Sequence, residues 1–514
     1  MKQMDQIEQM EQMDQIEQMD QIEQMDQTGQ KQTGQKQTGQ KQAGQTGQIK
    51  QIYKKQASGP KRMAWMYRVY IAVFLLICLV PSAGLFFAGE EQSSENREKA
   101  QFPVLSDENG INVHYLSRAG EWFEDHFALR NAWVSGYALL TGKGFGVSSQ
   151  ENVIVGTDGW LYYKDSLKDF QGSELMTRRQ IFNVAHSMSM IQAFAKEHGV
   201  KFAFAIAPNK NSLYGENMPY YYQGYRTGKK NLDHLKAELE TEGVHYVDLY
   251  GMLREEGQAL HHLDQLYHKR DSHWNNEGAA LAAGVVLSSL GQAHASYADR
   301  EYEVRRDFAG DLDKMLYPSA VSLEEEIYYE PMPQFSYIGE VGSNFDPKIS
   351  TSADGEGSLV MYRDSFGNAL LPYMAEAFES AYFSRALPYY LPDLEEHKAD
   401  ALVIERAERF LPDMAGEVPY MEAPSVKAEE LEEARAVGMT DLETAVQGDF
   451  VRITGKIPME SLKDHSRIYI NVNTKDCYEA FPVSYKDGQE GFSMLLSKEC
   501  LNETDNVYEL YLSE

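Results

Sequence analysis

Three side chains in two short segments of the chain have the types and spacing that acyl transfer requires. The segment Arg270–Trp274 places the carboxylate of Asp271 two residues before the imidazole of His273. The segment Tyr362–Gly367 places Ser365 shortly after an apolar run, where a strand is expected to end. A serine hydroxyl is a weak nucleophile near neutral pH until a base removes its proton, and an imidazole does this well when a carboxylate fixes its tautomer. The sequence therefore predicts a site with Ser365 as nucleophile, His273 as base and Asp271 as orienting carboxylate.

Each motif also has a purely structural interpretation. Aspartate and histidine are common near helix starts, where they cap backbone amides, and Asn275 directly after the first motif is itself a capping residue type. Ser365 would equally suit the cap of a following helix. Asp364 is a second carboxylate beside the serine. Since neighbours in sequence rarely form a triad, we assign the orienting role to Asp271.

The elements around these motifs alternate between helices and apolar strands. We predict five strands, at 201–207, 244–249, 357–362, 380–384 and 400–405. Strands buried on both faces that alternate with helices indicate a mostly parallel sheet between two helical layers. In such sheets the reacting groups gather at the carboxyl ends of the strands. Five polar side chains follow the predicted strands: Asn209, Lys210, Ser365, Arg385 and Glu405.

A hairpin precedes this α/β region, and a small β domain follows it. Residues 152–156 and 160–163 flank a Thr-Asp-Gly turn signal, which predicts paired strands with a structural role. Residues 300–356 interrupt the alternation with an acidic, aromatic stretch, which we interpret as an insertion beside the site. Short β-like runs between 420 and 514 predict a small β-sandwich-like domain.

The N-terminal part has the composition of a tail followed by a membrane anchor. In the tail, Met or Ile recurs every three positions, whereas helix pairing needs about 3.5, so we predict a disordered low-complexity segment. Val69 to Ala88 are twenty residues without charge, about the length that crosses a hydrocarbon core. Lysines and arginines precede this stretch and glutamates follow it, which predicts a single-pass helix with a cytoplasmic N-terminus in the cell membrane. A cleaved signal peptide is the alternative.

Length and charge restrict the remaining possibilities. With 514 residues the chain is too long for one ordinary core. We divide it into a disordered cytoplasmic tail (1–62), a transmembrane anchor (63–89), a stem with helical character (90–150), an α/β domain (151–415) and the β domain (420–514). Residues 1–89 hold ten Lys and Arg against eight Asp and Glu, so they have a small positive net charge. Since the formal charge of the whole chain is −30, the residues after position 89 carry −32. Because phosphate binding needs clustered cations, we predict no nucleic-acid partner.

Cysteine and histidine spacing indicates neither a metal site nor a cofactor. Cys78 lies in the predicted anchor. Cys477 and Cys500 are alone in the part predicted to be outside the cell, where an oxidising compartment would allow them to form a disulfide.

Four segments, in this order, resemble the DHHW-motif proteins and the alginate O-acetyltransferase family, whose domains are SGNH-hydrolase-like: 152–163, 208–210, 271–274 and 363–366. The resemblance covers roughly residues 95–412. Ser272 stands where the DHHW motif has a histidine, at a variable position outside the triad. As in the family, Asp-x-His precedes the serine.

The resemblance implies a three-layer α/β/α fold and a serine acyl-enzyme that moves acetyl groups onto a secreted or cell-wall polysaccharide. Asn209 and Lys210 match the family's Pro-x-Lys segment and would line the site. Trp274, Arg385 and Arg409 are weaker candidates for contacts with the sugar or the oxyanion. The resemblance also implies a membrane-bound O-acyltransferase as the partner that supplies acetyl groups.

Two other functions stay open at this point. An esterase that removes acetyl groups would use the same acyl-enzyme, with water in place of a sugar hydroxyl. A non-catalytic glycan-binding or assembly protein would use the C-terminal domain, or the tyrosine clusters at 220–222 and 389–390, to contact sugars.

Overall fold

The structure is a computed structural model of the chain and describes residues 59–85, 99–107, 110–256, 265–298, 300–427, 431, 433–503 and 505–513. Most of the predicted disordered tail, residues 1–58, lies outside the described residues. The chain divides into two compact units, Met1–Phe86 and Phe87–Glu514.

In the first unit, the described residues form one helix, α1 Gly59–Gly84. The predicted anchor, 63–89, falls mostly on this helix. Within the described part of the chain, no helix combines the length and the apolar character that crossing a membrane requires, so the predicted transmembrane helix is not found there.

The second unit begins with elements that lie before the central sheet. They are strands β1 Ser106–Asp107 and β2 Gly110–Ile111, helices α2 Tyr115–His126 and α3 Arg130–Phe145, and strands β3 Val153–Val155 and β4 Leu161–Tyr163. The two helices confirm the helical character predicted for the stem. β3 and β4 pair antiparallel, which confirms the predicted hairpin.

A seven-stranded sheet forms the centre of the α/β region. The strands of this region are β5 Lys201–Ala207, β6 Tyr246–Val247, β7 Glu301–Ala309, β8 Leu323–Glu330, β9 Ser336–Ile338, β10 Lys348–Ser352, β11 Ser358–Tyr362, β12 Ser380–Ser384 and β13 Ala401–Ala407. The central sheet has the order β6-β5-β13-β11-β12-β10-β9. Neighbouring strands from β6 to β12 pair in parallel. At the other edge of the sheet, β10 pairs antiparallel with β12, and β9 pairs antiparallel with β10. The predicted mostly parallel sheet is confirmed, whereas β7 and β8 form a separate ribbon in the predicted insertion.

Helices cover both faces of this sheet. The helices of this region are α4 Leu167–Gln171, α5 Arg178–Glu197, α6 Lys210–Leu213, α7 Tyr220–Gln223, α8 Asn231–Thr241, α9 Leu249–Glu256, α10 Asn276–Ser289, α11 Asp311–Leu316, α12 Gly367–Glu376, α13 Asp393–Glu396 and α14 Leu411–Met414. Alternate residues of β5 enter two different apolar cores. Its alanines lie in the core of α9, α10 and α12, and Phe202, Phe204 and Ile206 lie in the core of α5 and α8. This period of two confirms three layers.

The C-terminal region forms one antiparallel sheet of eight strands: β14 Ser425–Val426, β15 Arg435–Val437, β16 Thr440–Gln447, β17 Phe450–Ile457, β18 Arg467–Val472, β19 Asp476–Ser484, β20 Glu490–Ser497 and β21 Tyr508–Ser513. The first half of β19 pairs with β18 and its second half pairs with β20. Because one strand is shared by both halves, the sheet curves into a half-barrel around one core, and the sandwich of two sheets predicted from the sequence is wrong.

Cys477 and Cys500 both lie in this region as free thiols, so they do not form the disulfide that the sequence left open. The domain borders placed at 150, 415 and 420 stay predictions.

Candidate active site

His273 lies between Ser365 and Asp271 and contacts both. Its Nε2 atom is 2.8 Å from the Oγ of Ser365, a residue 92 positions further along the chain. Its Nδ1 atom is 2.8 Å from Oδ1 of Asp271. The imidazole side chain is 20% exposed, whereas the Asp271 side chain is 7% exposed. The structure therefore brings the three predicted residues together in the order that base-assisted serine chemistry requires.

A turn after β11 carries Ser365, and Asp364 fixes this turn. One oxygen of the Asp364 carboxylate accepts a hydrogen bond from the backbone N–H of Phe366 at 2.9 Å. The other accepts from the N–H of Ala407 at 2.7 Å, at the end of the neighbouring strand β13. The Asp364 N–H in turn donates to Glu405 at 3.1 Å. Both Asp364 oxygens thus bind backbone amides, which holds the serine turn against β13.

Lys210 supports the loop that carries Asp271. Its Nζ donates hydrogen bonds to three backbone carbonyls, those of His268 at 3.1 Å, Lys269 at 2.9 Å and Asp271. Burial lowers the pKa of Lys210 to about 8, although the charges of Asp271 and Asp311 oppose the shift. The ammonium has three N–H donors, and all three point to carbonyls of the loop. The geometry of Lys210 therefore favours support of this loop over the predicted role of lining the substrate site.

Trp274 joins the Asp-x-His loop to the serine turn. Its indole Nε1–H donates to the carbonyl of Phe366 at 3.2 Å, and its ring packs edge-on against the Phe366 ring at 5.0 Å. The side chain is buried, so it is not an accessible sugar platform. Asn275 accepts a hydrogen bond from the N–H of Gly278 and caps α10, as its residue type predicts.

Asn209 lies at the end of β5 and is also buried. Its side-chain Nδ2 is 3.3 Å from Asp169, and its backbone N–H donates to Glu408 at 2.8 Å. Its Oδ1 has no hydrogen-bond partner among the described residues. Burial and the adjacent Glu408 raise the pKa of Asp169 to about 8.

The two candidate arginines occupy different environments. The guanidinium carbon of Arg409 lies 5.4 Å from the ring centroid of Phe366 and 5.6 Å from that of Tyr163, so it lies beside the residue that follows Ser365. Arg385 is exposed, and its Nη1 donates to the carbonyl of Phe345 at 3.2 Å. Arg409 is therefore the arginine that the structure brings to the site.

Asp311 and Ser272 are site residues that sequence reasoning missed. Oδ2 of Asp311 is 3.7 Å from Nδ1 of His273, and the Ser272 hydroxyl lies between them, 2.5 Å from the carboxylate and 3.2 Å from the ring. Asp311 begins α11 inside the segment interpreted as an insertion. Its one sequence signal is the preceding Gly310, whose missing Cβ lets the backbone approach the Arg270 carbonyl.

The charges around the imidazole favour its protonated form. Burial by itself would raise the pKa of Asp271, but the hydrogen bond and charge of His273 lower it far below the usual range. Burial opposes protonation of His273, but the hydrogen bond and charge of Asp271, with the charge of Asp311, raise its pKa; Arg409 acts in the opposite direction. Burial and the charge of Asp271 raise the pKa of Asp311.

Comparison with known proteins gives one family match and several similar solved structures. Residues 153–334 match a family model described as the SGNH hydrolase-like domain of the acetyltransferase AlgX. The resemblance predicted from the sequence is confirmed. The matched region contains the Asp-x-His loop and Asp311, and Ser365 follows it. No curated protein matches the chain.

Several solved structures also resemble the chain. A DHHW family protein from Eubacterium siraeum has 17% identity and a TM-score of 0.38, covering 51% of this chain and 93% of that one. PatB1 from Bacillus cereus has 17% identity and a TM-score of 0.40, covering 50% and 96%. AlgX from Pseudomonas aeruginosa has 14% identity and a TM-score of 0.34, covering 70% and 93%.

The side chains around His273 suit proton transfer better than metal binding. Asp271, His273 and Asp311 each offer a ligand atom within 4.8 Å of the others, as do Asp393, Glu396 and His397 elsewhere in the described chain. At the first cluster, however, Nδ1 of His273 is already hydrogen-bonded to Asp271. A metal there would have to replace the contact that orients the base.

Proposed function

We propose that this chain is a serine-dependent O-acetyltransferase that acts on a secreted or cell-wall polysaccharide. The observation that carries the proposal is the pair of 2.8 Å hydrogen bonds that link Ser365 to His273 and His273 to Asp271. The match of residues 153–334 to an acetyltransferase domain supports acetyl as the transferred group.

In the first half-reaction, Ser365 Oγ attacks the carbonyl carbon of an acetyl ester while Nε2 of His273 takes the hydroxyl proton. The tetrahedral intermediate then expels the donor alcohol, which leaves with the proton from His273, and the acetyl group stays on Ser365. Asp271 stabilises the imidazolium while it exists.

In the second half-reaction, a sugar hydroxyl attacks the acetyl-serine and gives its proton to His273. The intermediate collapses to the acetylated sugar, and the proton returns to Ser365. We propose Arg409 as the group that stabilises negative charge on the intermediate, because its guanidinium lies beside Phe366 and its charge acts on the imidazole.

The proposal includes a location and a partner. We propose that residues 63–89 anchor the chain in the cell membrane with the acidic remainder outside, on the strength of the charge distribution around the uncharged stretch. A membrane-bound O-acyltransferase would then deliver acetyl groups to the outer side. Digestion of intact cells with a protease should remove the C-terminal part and spare an epitope tag at the N-terminus; an N-terminal tag lost from intact cells would contradict this orientation.

Acylation of Ser365 is the test of the chemistry. We expect the full-length protein, incubated with 4-nitrophenyl acetate and digested, to carry one acetyl group on the peptide that contains Ser365, as measured by mass spectrometry. Ser365→Ala should carry none, and Ser493→Ala, which removes a buried serine of the C-terminal sheet, should be labelled normally. Folded protein without acetyl on Ser365 would overturn the proposal and favour a non-catalytic glycan-binding function.

Product analysis then separates transfer from hydrolysis. With an oligosaccharide acceptor present, a transferase yields acetylated oligosaccharide, whereas an esterase releases acetate at a rate that the acceptor does not change. We expect the acceptor to divert acetyl from water to sugar.

A further inference from the structure

The imidazole of His273 has two carboxylates on its Nδ1 side. Asp271 is the closer one, at 2.8 Å, and Asp311 lies at 3.7 Å. A Ser-His-Asp site needs one carboxylate to fix the tautomer, and Asp271 already supplies it. The second carboxylate therefore requires its own explanation.

Asp311 is held in place by four hydrogen bonds. Its Oδ1 accepts from the N–H of Ser272 at 2.8 Å and from the N–H of Leu312 at 2.7 Å. Its Oδ2 accepts from the Ser272 hydroxyl at 2.5 Å. Its own N–H donates to Oδ2 of Asp271 at 2.7 Å. The two aspartates are thus fixed relative to each other and to the loop that carries the imidazole.

The close approach of α11 to this loop depends on a glycine that directly precedes the helix. Gly310 packs against the backbone of Arg270 and Asp271 so closely that a Cβ would overlap the Arg270 carbonyl. Three residues after Gly310, Asp313 of α11 forms an ion pair with Arg270. Two contacts besides those of Asp311 therefore bind α11 to the Asp-x-His loop, so the position of Asp311 does not depend on its own hydrogen bonds alone.

We propose that Asp311 and Ser272 form a second arm that positions His273 and stabilises its protonated form during acyl transfer. Asp271 holds Nδ1 directly, and the Ser272 hydroxyl, which donates to Asp311, lies against the same edge of the ring at 3.2 Å. Asp311 acts through the charge that it presents to the imidazole, so it is a positioning residue. This inference rests on the proposed acyltransferase function and adds two residues to its machinery.

The charged groups that face the imidazole come from three parts of the fold. Asp271 belongs to the same loop, Asp311 begins α11, and Arg409 follows β13. The Arg409 charge opposes imidazolium formation, and the two aspartates favour it. Removing Asp311 alone therefore leaves one positive and one negative neighbour, and the imidazolium becomes less stable.

Titration of His273 tests the arm without requiring activity. In full-length protein with ¹³C-labelled histidine, we expect Asp311→Asn to move the His273 titration midpoint to lower pH, with the resonance assigned by its loss in His273→Gln. Asp307→Asn is the control, since it removes a carboxylate of the same segment that contacts the Tyr328 hydroxyl and not the imidazole, and it should leave the midpoint in place. A midpoint that Asp311→Asn leaves in place, in protein that melts as a folded unit, would overturn the inference.

Kinetics with the acetyl ester provide the second readout. We expect Asp311→Asn and Ser272→Ala each to lower kcat by about tenfold with little change in KM, because a misaligned base slows the chemical step and leaves ground-state binding intact. Ser272→Thr keeps a hydroxyl and should recover most of kcat. If Ser272→Ala retains full kcat, or if Ser272→Thr is as slow as Ser272→Ala, the bridging role of the hydroxyl is wrong.

The two proposals fail in different ways. Absence of acetyl on Ser365 in the unsubstituted protein overturns the acyltransferase function, and the histidine titration still decides whether Asp311 acts on His273. A Ser365 that is acylated normally in Asp311→Asn, with the titration midpoint unmoved, overturns only the second arm.

Discussion

The Asp-x-His loop and the serine turn contain the same kind of acidic residue, used in opposite ways. Asp271 directs one oxygen at the imidazole and the other at the N–H of Asp311. Asp364, which adjoins the nucleophile, directs both oxygens at backbone amides of Phe366 and Ala407. One carboxylate therefore acts on the base, and the other fixes the backbone that presents Ser365.

This difference shows why proximity in sequence is a poor guide to roles in a triad. Asp364 is one residue from Ser365, yet both of its carboxylate oxygens accept hydrogen bonds from backbone amides. Asp271 is distant along the chain, yet it reaches the serine through His273, because the loop and the turn meet where Trp274 binds the Phe366 carbonyl.

Removing the imidazole should have the largest effect, because in the proposed reaction it takes the proton from Ser365. We expect His273→Ala to lower the rate of Ser365 acetylation by about 10⁴-fold or more. Burst kinetics with 4-nitrophenyl acetate measure this rate. Acetylation that persists at a normal rate would show that another group is the base.

Asp271→Asn should have the next largest effect and bears directly on the comparison. The amide cannot hold the Nδ1–H tautomer or stabilise the imidazolium, so we expect kcat to fall by about 10³- to 10⁴-fold. Steady-state kinetics on the folded variant measure the loss. If kcat fell only a few fold, Asp311 would have to be the main orienting carboxylate.

Asp364→Asn should change stability more than chemistry. Its NH₂ group would face a backbone N–H, so one buried hydrogen bond is lost at a cost of about 1–3 kcal/mol in the free energy of unfolding. Urea denaturation measures this cost. A kcat loss as large as that of Asp271→Asn, without loss of stability, would contradict the structural role of Asp364.

The pH dependence of acetylation should report the charges on the Asp-x-His side. His273 accepts a proton only when it is neutral, so kcat/KM should rise with pH through the His273 pKa, which Asp271 and Asp311 raise above 6.5. Asp271→Asn should move this acidic limb to lower pH. A limb below 6.5 in the unsubstituted protein would show that burial and Arg409 outweigh the carboxylates.

The smallest effect is expected far from both segments. Cys477 is buried in the C-terminal half-barrel and forms no disulfide. We expect Cys477→Ala to lower the free energy of unfolding by about 1 kcal/mol and to leave Ser365 acetylation unchanged. Loss of acetylation would imply that the C-terminal region takes part in the reaction.

Strand positions were predictable because they depend on local patterns, and the three main site residues stay a prediction made from residue types and spacing. β12 has the predicted bounds, 380–384, and β11 begins one residue after its prediction. β6 is only two residues long where six were predicted, because only Tyr246 and Val247 pair with β5 and α9 already begins at Leu249. The sequence predicted a sandwich in place of the half-barrel. The pairing of β19 with two different strands, β18 and β20, leaves no signal in the periodicity of the residues.

By itself, the sequence determined the residue types that the chemistry needs and the alternation of strands and helices that builds a parallel sheet. Both depend on residues that are close together in the chain. Only the tertiary structure shows that Lys210 supports the Asp-x-His loop. It also shows that Arg409, and not Arg385, lies beside Phe366, and that Asp311 lies beside the imidazole of His273. These roles depend on distances of a few ångströms between segments far apart in the chain, and packing across the sheet sets such distances.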